Sequence, residues 1–250
     1  MDGVRILPAG EQAIVVEFGQ AIDPDINRRV HQLGRQLAGQ KLPGIIEVVP
    51  TYRSLLIYFD PLIITRQTVA EQAMALLASG NTAETGDSKA RIIHIPVCYG
   101  GEFGPDIGFV ANHNGLTEAE VIEIHTSVPY LIYMLGFTPG FPYLGGMSPR
   151  IATPRLEKPR TRIPAGSVGI AGTQTGFYPI ESPGGWQLIG RTPVKAFDPQ
   201  AATPFLFAAG DYLKFYAVSA EEYETIAKDV AAGRYAPTIT EMAVEGGIKS

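Results

Sequence analysis

The chain has a single cysteine, Cys98, so no disulfide can form within it and a thiolate metal site would need ligands from another molecule. Its four histidines, His31, His94, His113 and His125, include no pair four residues apart, so the helical two-histidine metal motif is absent. No metal chemistry by this chain alone is expected. No apolar run approaches the roughly 18 residues of a membrane span, and residues 1–10 lack a cationic start followed by an apolar stretch. A cytoplasmic protein without a membrane partner is expected. Positive charge is also short: 20 Lys and Arg against 25 Asp and Glu leave a net charge of −5, which disfavours nucleic-acid partners. What remains is a globular chain of 250 residues, 45% hydrophobic, long enough for one large domain or two modest ones.

One region stands apart. Residues 136–204 hold no His and no Cys but contain eleven glycines and eleven prolines. Residues that set φ at such density exclude a helix, and the apolar and aromatic content excludes a disordered linker. A rigid set of turns and short strands is expected. Within it Arg150, Arg155, Lys158, Arg160, Arg162, Arg191 and Lys195 face only Glu157, Glu181 and Asp198, so the region carries +4 and the rest of the chain −9. That asymmetry points to a preformed cationic pocket for a small anionic group.

The flanking sequence is readable by periodicity. Residues 4–18 predict a β-hairpin broken at Pro8, Ala9 and Gly10. Asp23 and Pro24 start a helix whose apolar face is Ile26, Val30, Leu33 and Leu37. Strands are predicted over 45–49 and 54–59, and a second helix over 65–78. This β-α-β-β-α order predicts a small α+β domain at residues 1–85, ended by the polar stretch 79–89. A second domain, residues 90–235, opens with a strand at 91–99 and a turn-rich GGEFGPDIG. Capping boxes at Thr117/Glu120 and Ser219/Glu222 predict helices over 118–126 and up to about residue 230. A strand is expected at 130–135, and a hairpin or two short strands at 205–218. The many short strands favour a mainly β, closed or nearly closed barrel, with residues 236–250 as a tail.

Three strings within the barrel half carry candidate chemistry. GFTPGFPYLGG (136–146) sets Phe137, Phe141 and Tyr143 among prolines and glycines, either as an aromatic cleft wall or as a buried turn. PAGSVGIAGTQTG (164–176) spaces glycines so that backbone N–H groups near Ser167 face an anion, or so that short strands bend. Ser167 has no GxSxG context to mark it as a nucleophile. SPGGWQLIGRTP (182–193) holds Trp186, the one tryptophan, and Arg191, whose fork suits a carboxylate. Arg160 and Arg162 fall on one face of an extended strand, either around an anion or in solvent. His125, at the end of a helix, is the best-placed candidate general base, and is also explained by the helix dipole.

The strings IPVCYGGEFGPDI (95–107), YMLGFTPGFPYLGG (133–146) and PRTRIPAGSVGIAGTQTGFYPIESPGGWQLIGRTP (159–193) closely resemble the B-subunit family of bacterial ATP-dependent 5-oxoprolinase. That family includes the KipI-type histidine kinase inhibitors and was long labelled allophanate hydrolase subunit 1, a carboxyltransferase subdomain C relative. The resemblance implies a small α+β domain followed by a cyclophilin-like β-barrel. It also implies two partners, a KipA-like C subunit and a LamB/YcsF-type A subunit. Such a complex opens 5-oxoproline to L-glutamate with ATP, whose site is not complete in this chain. Two alternatives accompany it: an inhibitor of a sensor histidine kinase, and a part of a biotin-dependent, urea carboxylase-like carboxyltransferase. Under the first reading Arg160 and Arg191 hold the substrate carboxylate. Gln174, Tyr178 and N–H groups near Ser167 then polarise the lactam.

Overall fold

The structure, a computed structural model, describes residues 3–79 and 89–243. The chain divides into two compact units, residues 1–86 and 87–250. The polar stretch read as a boundary lies, apart from its two end residues, outside the described residues.

The first unit follows its sequence pattern. Strands β1 (Arg5–Pro8) and β2 (Ala13–Glu17) form the hairpin; β3 (Ile45–Pro50) and β4 (Ser54–Phe59) complete an antiparallel sheet of order β1-β2-β4-β3. Helix α1 (Pro24–Gln40) starts where Asp23 Oδ1 accepts from the N–H groups of Asp25 and Ile26, at 2.8 and 3.1 Å. Its face of Val30, Leu33 and Leu37 packs on Ile14, Val16, Leu55, Ile57 and Phe59, joined by Val69 and Ala73 of α2 (Arg66–Ala78). Buried Asn27 donates from Nδ2 to the carbonyls of Thr51 and Tyr52, at 2.9 and 3.2 Å, and so fixes α1 to the β3–β4 turn.

The second unit is built around a long strand, β5 (Lys89–Tyr99). The helices α3 (Ile107–Asn114) and α4 (Glu118–Ser127) follow, then β6 (Tyr130–Leu135). The glycine- and proline-rich region supplies six strands, none longer than five residues. These are β7 (Pro142–Gly145), β8 (Arg160–Ile163), β9 (Ser167–Ala171), β10 (Gln174–Phe177), β11 (Ser182–Gly184) and β12 (Gln187–Arg191). Strand β13 (Tyr212–Ala217), helix α5 (Ala220–Ala231) and strand β14 (Ile239–Ala243) end the described chain.

The main sheet runs β10-β9-β12-β5-β13-β6-β7, and its two ends meet: a Cβ on Gly176 of β10 would lie 3.1 Å from the Pro142 carbonyl oxygen of β7. The result is a nearly closed barrel in a mixed α/β chain. Its interior is filled by Ile93, Ile95, Val97, Ile132, Val168, Ile170, Phe177, Ile189, Leu213 and Phe215. Strands β8 and β11 pair separately as a two-stranded sheet. No helix among the described residues is long and apolar enough to cross a membrane.

Three elements differ from expectation. Helix α3 starts at the end of the stretch read as turns and runs through residues 109–114, for which no element was expected. Residues 205–218 give one strand rather than two, because Asp211 folds the preceding chain into a turn: its Oδ2 accepts from Ala208 N–H at 2.8 Å and its own N–H donates to the Ala208 carbonyl at 3.2 Å. Residues 236–250, read as a tail, include β14, which pairs antiparallel with β5 through Ile239↔Ile93 to Ala243↔Lys89. Residues 244–250 lie outside the described residues.

Candidate functional site on the outer face of the barrel

Register places three polar side chains in one row. Arg191 of β12 is opposite Ser167 of β9 on one side and Cys98 of β5 on the other. Their neighbours Val168 and Val97 point into the barrel, so all three belong to its outer face. A bulge between Leu188 and Gly190 is what aims Arg191 outward. Ile189 is inside, and strict alternation would put Arg191 inside as well; the extra residue resets the phase.

The Arg191 guanidinium lies 5.7 Å from the ring centroid of Phe103, which in turn packs on Tyr223 of α5 at 4.7 Å. Among the described residues no carboxylate pairs with it. Its Nε and the Oγ of Ser167 are both buried without a hydrogen-bond partner. These two orphan polar atoms, on directly opposed residues and one of them part of a guanidinium without a carboxylate partner among the described residues, have the chemistry to bind an oxyanion. Gly166 makes the approach possible: its φ is +81°, and a Cβ there would lie 2.1 Å from the Thr192 carbonyl oxygen. Burial, with Glu102 nearby, pushes the Cys98 thiol up, which keeps it uncharged beside the arginine.

The remaining candidates are brought elsewhere. Arg160 is not a free clamp. Its Nη2 pairs with Asp106 Oδ1 at 2.7 Å and its Nη1 donates to the Trp186 carbonyl at 3.4 Å. Arg162 pairs with Glu181 at 2.7 Å, largely in solvent, so the two arginines share no anion. The aromatic wall is a core instead. Phe141, Tyr178 and Trp186 are buried with Ile163, Ala171 and Leu188, with Phe141 centred 5.5 Å from Trp186 and 5.6 Å from Tyr178. These rings fill the space between the barrel wall and β8, and burial pushes the Tyr178 phenol to about 12. Tyr143 packs against that cluster half-buried, whereas Phe137 is exposed.

The backbone donors near Ser167 are also committed: Gly166 N–H to the Tyr178 carbonyl at 2.7 Å, Ser167 N–H to the Pro164 carbonyl at 3.2 Å, and Gly172 N–H to the Thr153 carbonyl at 2.7 Å. They offer no oxyanion cradle. Gln174 opens β10 opposite Ala171, half-buried. His125 is fully buried in the barrel, bonded at Nδ1 to the Tyr99 hydroxyl and at Nε2 to Thr175 Oγ1, both at 2.7 Å. Burial lowers it to about 3, so it is a neutral core residue and not a cleft base.

Sequence reasoning missed Asp106, whose carboxylate joins three elements. Besides Arg160 on β8, it accepts from Leu188 N–H of β12 at 2.6 Å, immediately before α3. The signal was the Pro-Asp pair ahead of the helix. Asp106→Ala leaves a half-buried guanidinium without its counter-ion and a β12 N–H without its acceptor, and is expected to cost about 3 kcal/mol of unfolding free energy. Urea denaturation checks this, and Asp106→Asn, which retains an acceptor, should cost roughly half as much.

The carboxyltransferase domain, subdomain C and D, family matches residues 4–207. The chain belongs to this family. Within the carboxyltransferase subdomain C and D family, the Bacillus subtilis protein named as the B subunit of 5-oxoprolinase is 47% identical over 229 residues, 88% of this chain and 95% of that protein. The Escherichia coli O157:H7 protein of the same name is 39% identical over 216 residues, 86% of this chain and 96% of that one. The crystal structure of Kluyveromyces lactis urea carboxylase superposes with a TM-score of 0.79 at 26% identity. It covers 96% of this chain, which spans only 24% of that much longer one. The same family unit thus occurs both as a separate subunit and inside a larger polypeptide.

Proposed function

We propose that this chain is the B subunit of a cytoplasmic ATP-dependent 5-oxoprolinase, which hydrolyses 5-oxo-L-proline to L-glutamate together with its A and C subunits. Its barrel is read as cyclophilin-like. The supporting observation is Arg191, with no carboxylate partner among the described residues, beside the orphan Ser167 Oγ, two groups with the chemistry to bind the carboxylate of a small lactam acid. Two N–H groups of the guanidinium grip the carboxylate, the Phe103 ring backs the cation, and the serine hydroxyl donates to a carboxylate oxygen. Held there, the lactam carbonyl presents to groups of a partner protein: water adds its oxygen to the carbonyl carbon, the C–N bond breaks, and the nitrogen leaves as the amine of glutamate. The glycine-bearing turns at 164–176 do not fit a nucleotide, because the N–H groups of Gly166, Ser167 and Gly172 are bonded to carbonyls of the barrel itself. No phosphoryl step is assigned to this chain.

The test is a reconstitution. All three purified subunits with ATP and 5-oxo-L-proline should release glutamate, and omission of this chain should abolish release. Arg191→Ala in the full set should lower kcat/KM about 100-fold, chiefly through KM, as expected for loss of a charge-assisted bidentate contact. Full activity of that variant removes Arg191 from the reaction. A complete set that releases no glutamate removes the function.

A further inference from the structure

Cys98 is only 6% exposed although it lies on the outer face of the barrel, so another element covers it there. That element is helix α5, which packs on β5 and whose Tyr223 lies close enough to both Cys98 and Arg191 for each to act on its phenol. The helix makes its contact through one stripe, Tyr223, Ile226, Ala227 and Val230, spaced to share a face, and each is half-buried. Tyr223 closes over the Arg191 site, since its ring packs on Phe103, whose own ring backs the guanidinium. Yet the helix is held loosely. Helices α1 to α4 each bury two or more residues fully, whereas α5 buries none, and no residue of α5 belongs to the cluster that fills the barrel. Among the described residues its hydrogen bonds and its ion pair stay within residues 219–235. The chain is pinned on either side instead, where Val218 N–H donates to the Val97 carbonyl at 3.0 Å and His94 N–H to the Thr238 carbonyl at 2.9 Å. Between α5 and the second pin, Gly233 takes φ +68° in open space.

We infer that α5 is a strap that lifts from the barrel as a unit and gates the entry of a small carboxylate to Arg191, with Tyr223 as its latch. This rests on the reading of Arg191 and Ser167 as a carboxylate site given above. An element held by half-buried apolar contacts, with no hydrogen bond to the barrel, opens at a fraction of the free energy of global unfolding. Lifting it opens the Arg191 side of the site, where Nε has no partner while the strap is down. A bound carboxylate supplies that partner, so the strap closes more firmly over a filled site than over an empty one.

The experiment is the rate at which Cys98, the only thiol, reacts with a chromogenic disulfide reagent in the folded full chain. In urea well below the unfolding midpoint this rate should rise with a slope much smaller than that of global unfolding, because only α5 uncovers. Tyr223→Ala should speed labelling about 10-fold with Tm within about 4 °C, and Tyr223→Phe, which keeps the ring, should label like the unsubstituted chain. Added 5-oxo-L-proline should slow labelling about 10-fold at ten times its Kd, and Arg191→Ala should abolish this protection. A slope equal to the global one, unchanged labelling in Tyr223→Ala, a fall in its Tm beyond about 8 °C, or no protection by 5-oxo-L-proline each overturns the strap. Labelling that Tyr223 controls and 5-oxo-L-proline slows, in a chain whose complete set releases no glutamate, sinks the function and leaves the strap. Glutamate release with labelling indifferent to Tyr223→Ala does the reverse.

Discussion

Gly104→Ala is expected to leave the second unit unfolded, with no soluble protein recovered under conditions that yield the unsubstituted chain. A Cβ at this position would lie 2.0 Å from the Ile189 carbonyl oxygen, 2.1 Å from its carbon and 2.7 Å from Gly190 N. All three are backbone atoms of β12, so no side-chain rotation relieves the overlap. The alternative is a shift of about 1 Å between the 100–106 turn and β12, which interiors packed at crystal-like density do not absorb. That shift would break a set of bonds at once. Gly100 N–H donates to the Ile189 carbonyl at 3.1 Å, Asp106 N–H to the Leu188 carbonyl at 2.9 Å, and Leu188 N–H to the Asp106 carboxylate. It would also move the bulge that aims Arg191 outward and the Phe103 ring that backs it. The measurement is soluble yield with near-ultraviolet circular dichroism of any material recovered. A folded Gly104→Ala variant with normal glutamate release would show that the turn does not hold the site.

The second large effect is a pH dependence. The Thr175 hydroxyl donates to the Gly169 carbonyl at 3.1 Å, so it can only accept from His125 Nε2–H; Nδ1 then accepts from Tyr99, whose phenol burial holds protonated. Neutral His125 is fully satisfied, and a second ring proton would face the Tyr99 hydroxyl hydrogen. With the folded value near 3 against 6.5 when unfolded, the unfolded state binds more protons between those limits. The contribution is complete above pH 6.5 and is lost as pH falls toward 3. It amounts to about 2 kcal/mol between pH 7.5 and pH 5, and about 4 kcal/mol by pH 3.5. Unfolding free energies from urea titrations at pH 7.5 and 5 should show this fall, and His125→Gln should flatten it. A parallel fall in both proteins would assign the acid sensitivity to other groups.

Local elements were legible where one residue set decided them. Helix α1 was readable because Asp23, Pro24 and the Val30, Leu33 and Leu37 face agree, and the two capping boxes formed as expected at Thr117 and Ser219. Helix α3 was not, because it is eight residues long and its N-cap Asp106 makes no cap hydrogen bond: that carboxylate is spent on Arg160 and Leu188. Strand β14 was hidden for another reason. Four of its five residues are exposed, so no buried face imprints a pattern, and it is placed by backbone pairing with β5 together with the Lys89–Glu241 ion pair and the His94–Thr240 hydrogen bond. The site shows the same division. The cationic bias of residues 136–204 was visible, but that Arg160 is held in an ion pair depends on Asp106, thirty residues upstream of that region. Trp186, Phe141 and Tyr178 have the composition of a binding wall and the position of a core, and composition alone does not separate these.

The parallel pairing of β13 with β5 joins Tyr212 to Ile92 and Ala217 to Val97. Their pairing, and with it closure of the barrel, has to wait until the 119 residues between such partners have been made. On a ribosome the first unit, whose strands pair with near neighbours, is free to fold while the second is still being synthesised. The N-terminal half of β5 waits, with its apolar residues uncovered, for partners that emerge last. The interval between those two events, and not the stability of the finished barrel, is when this chain is most exposed to aggregation.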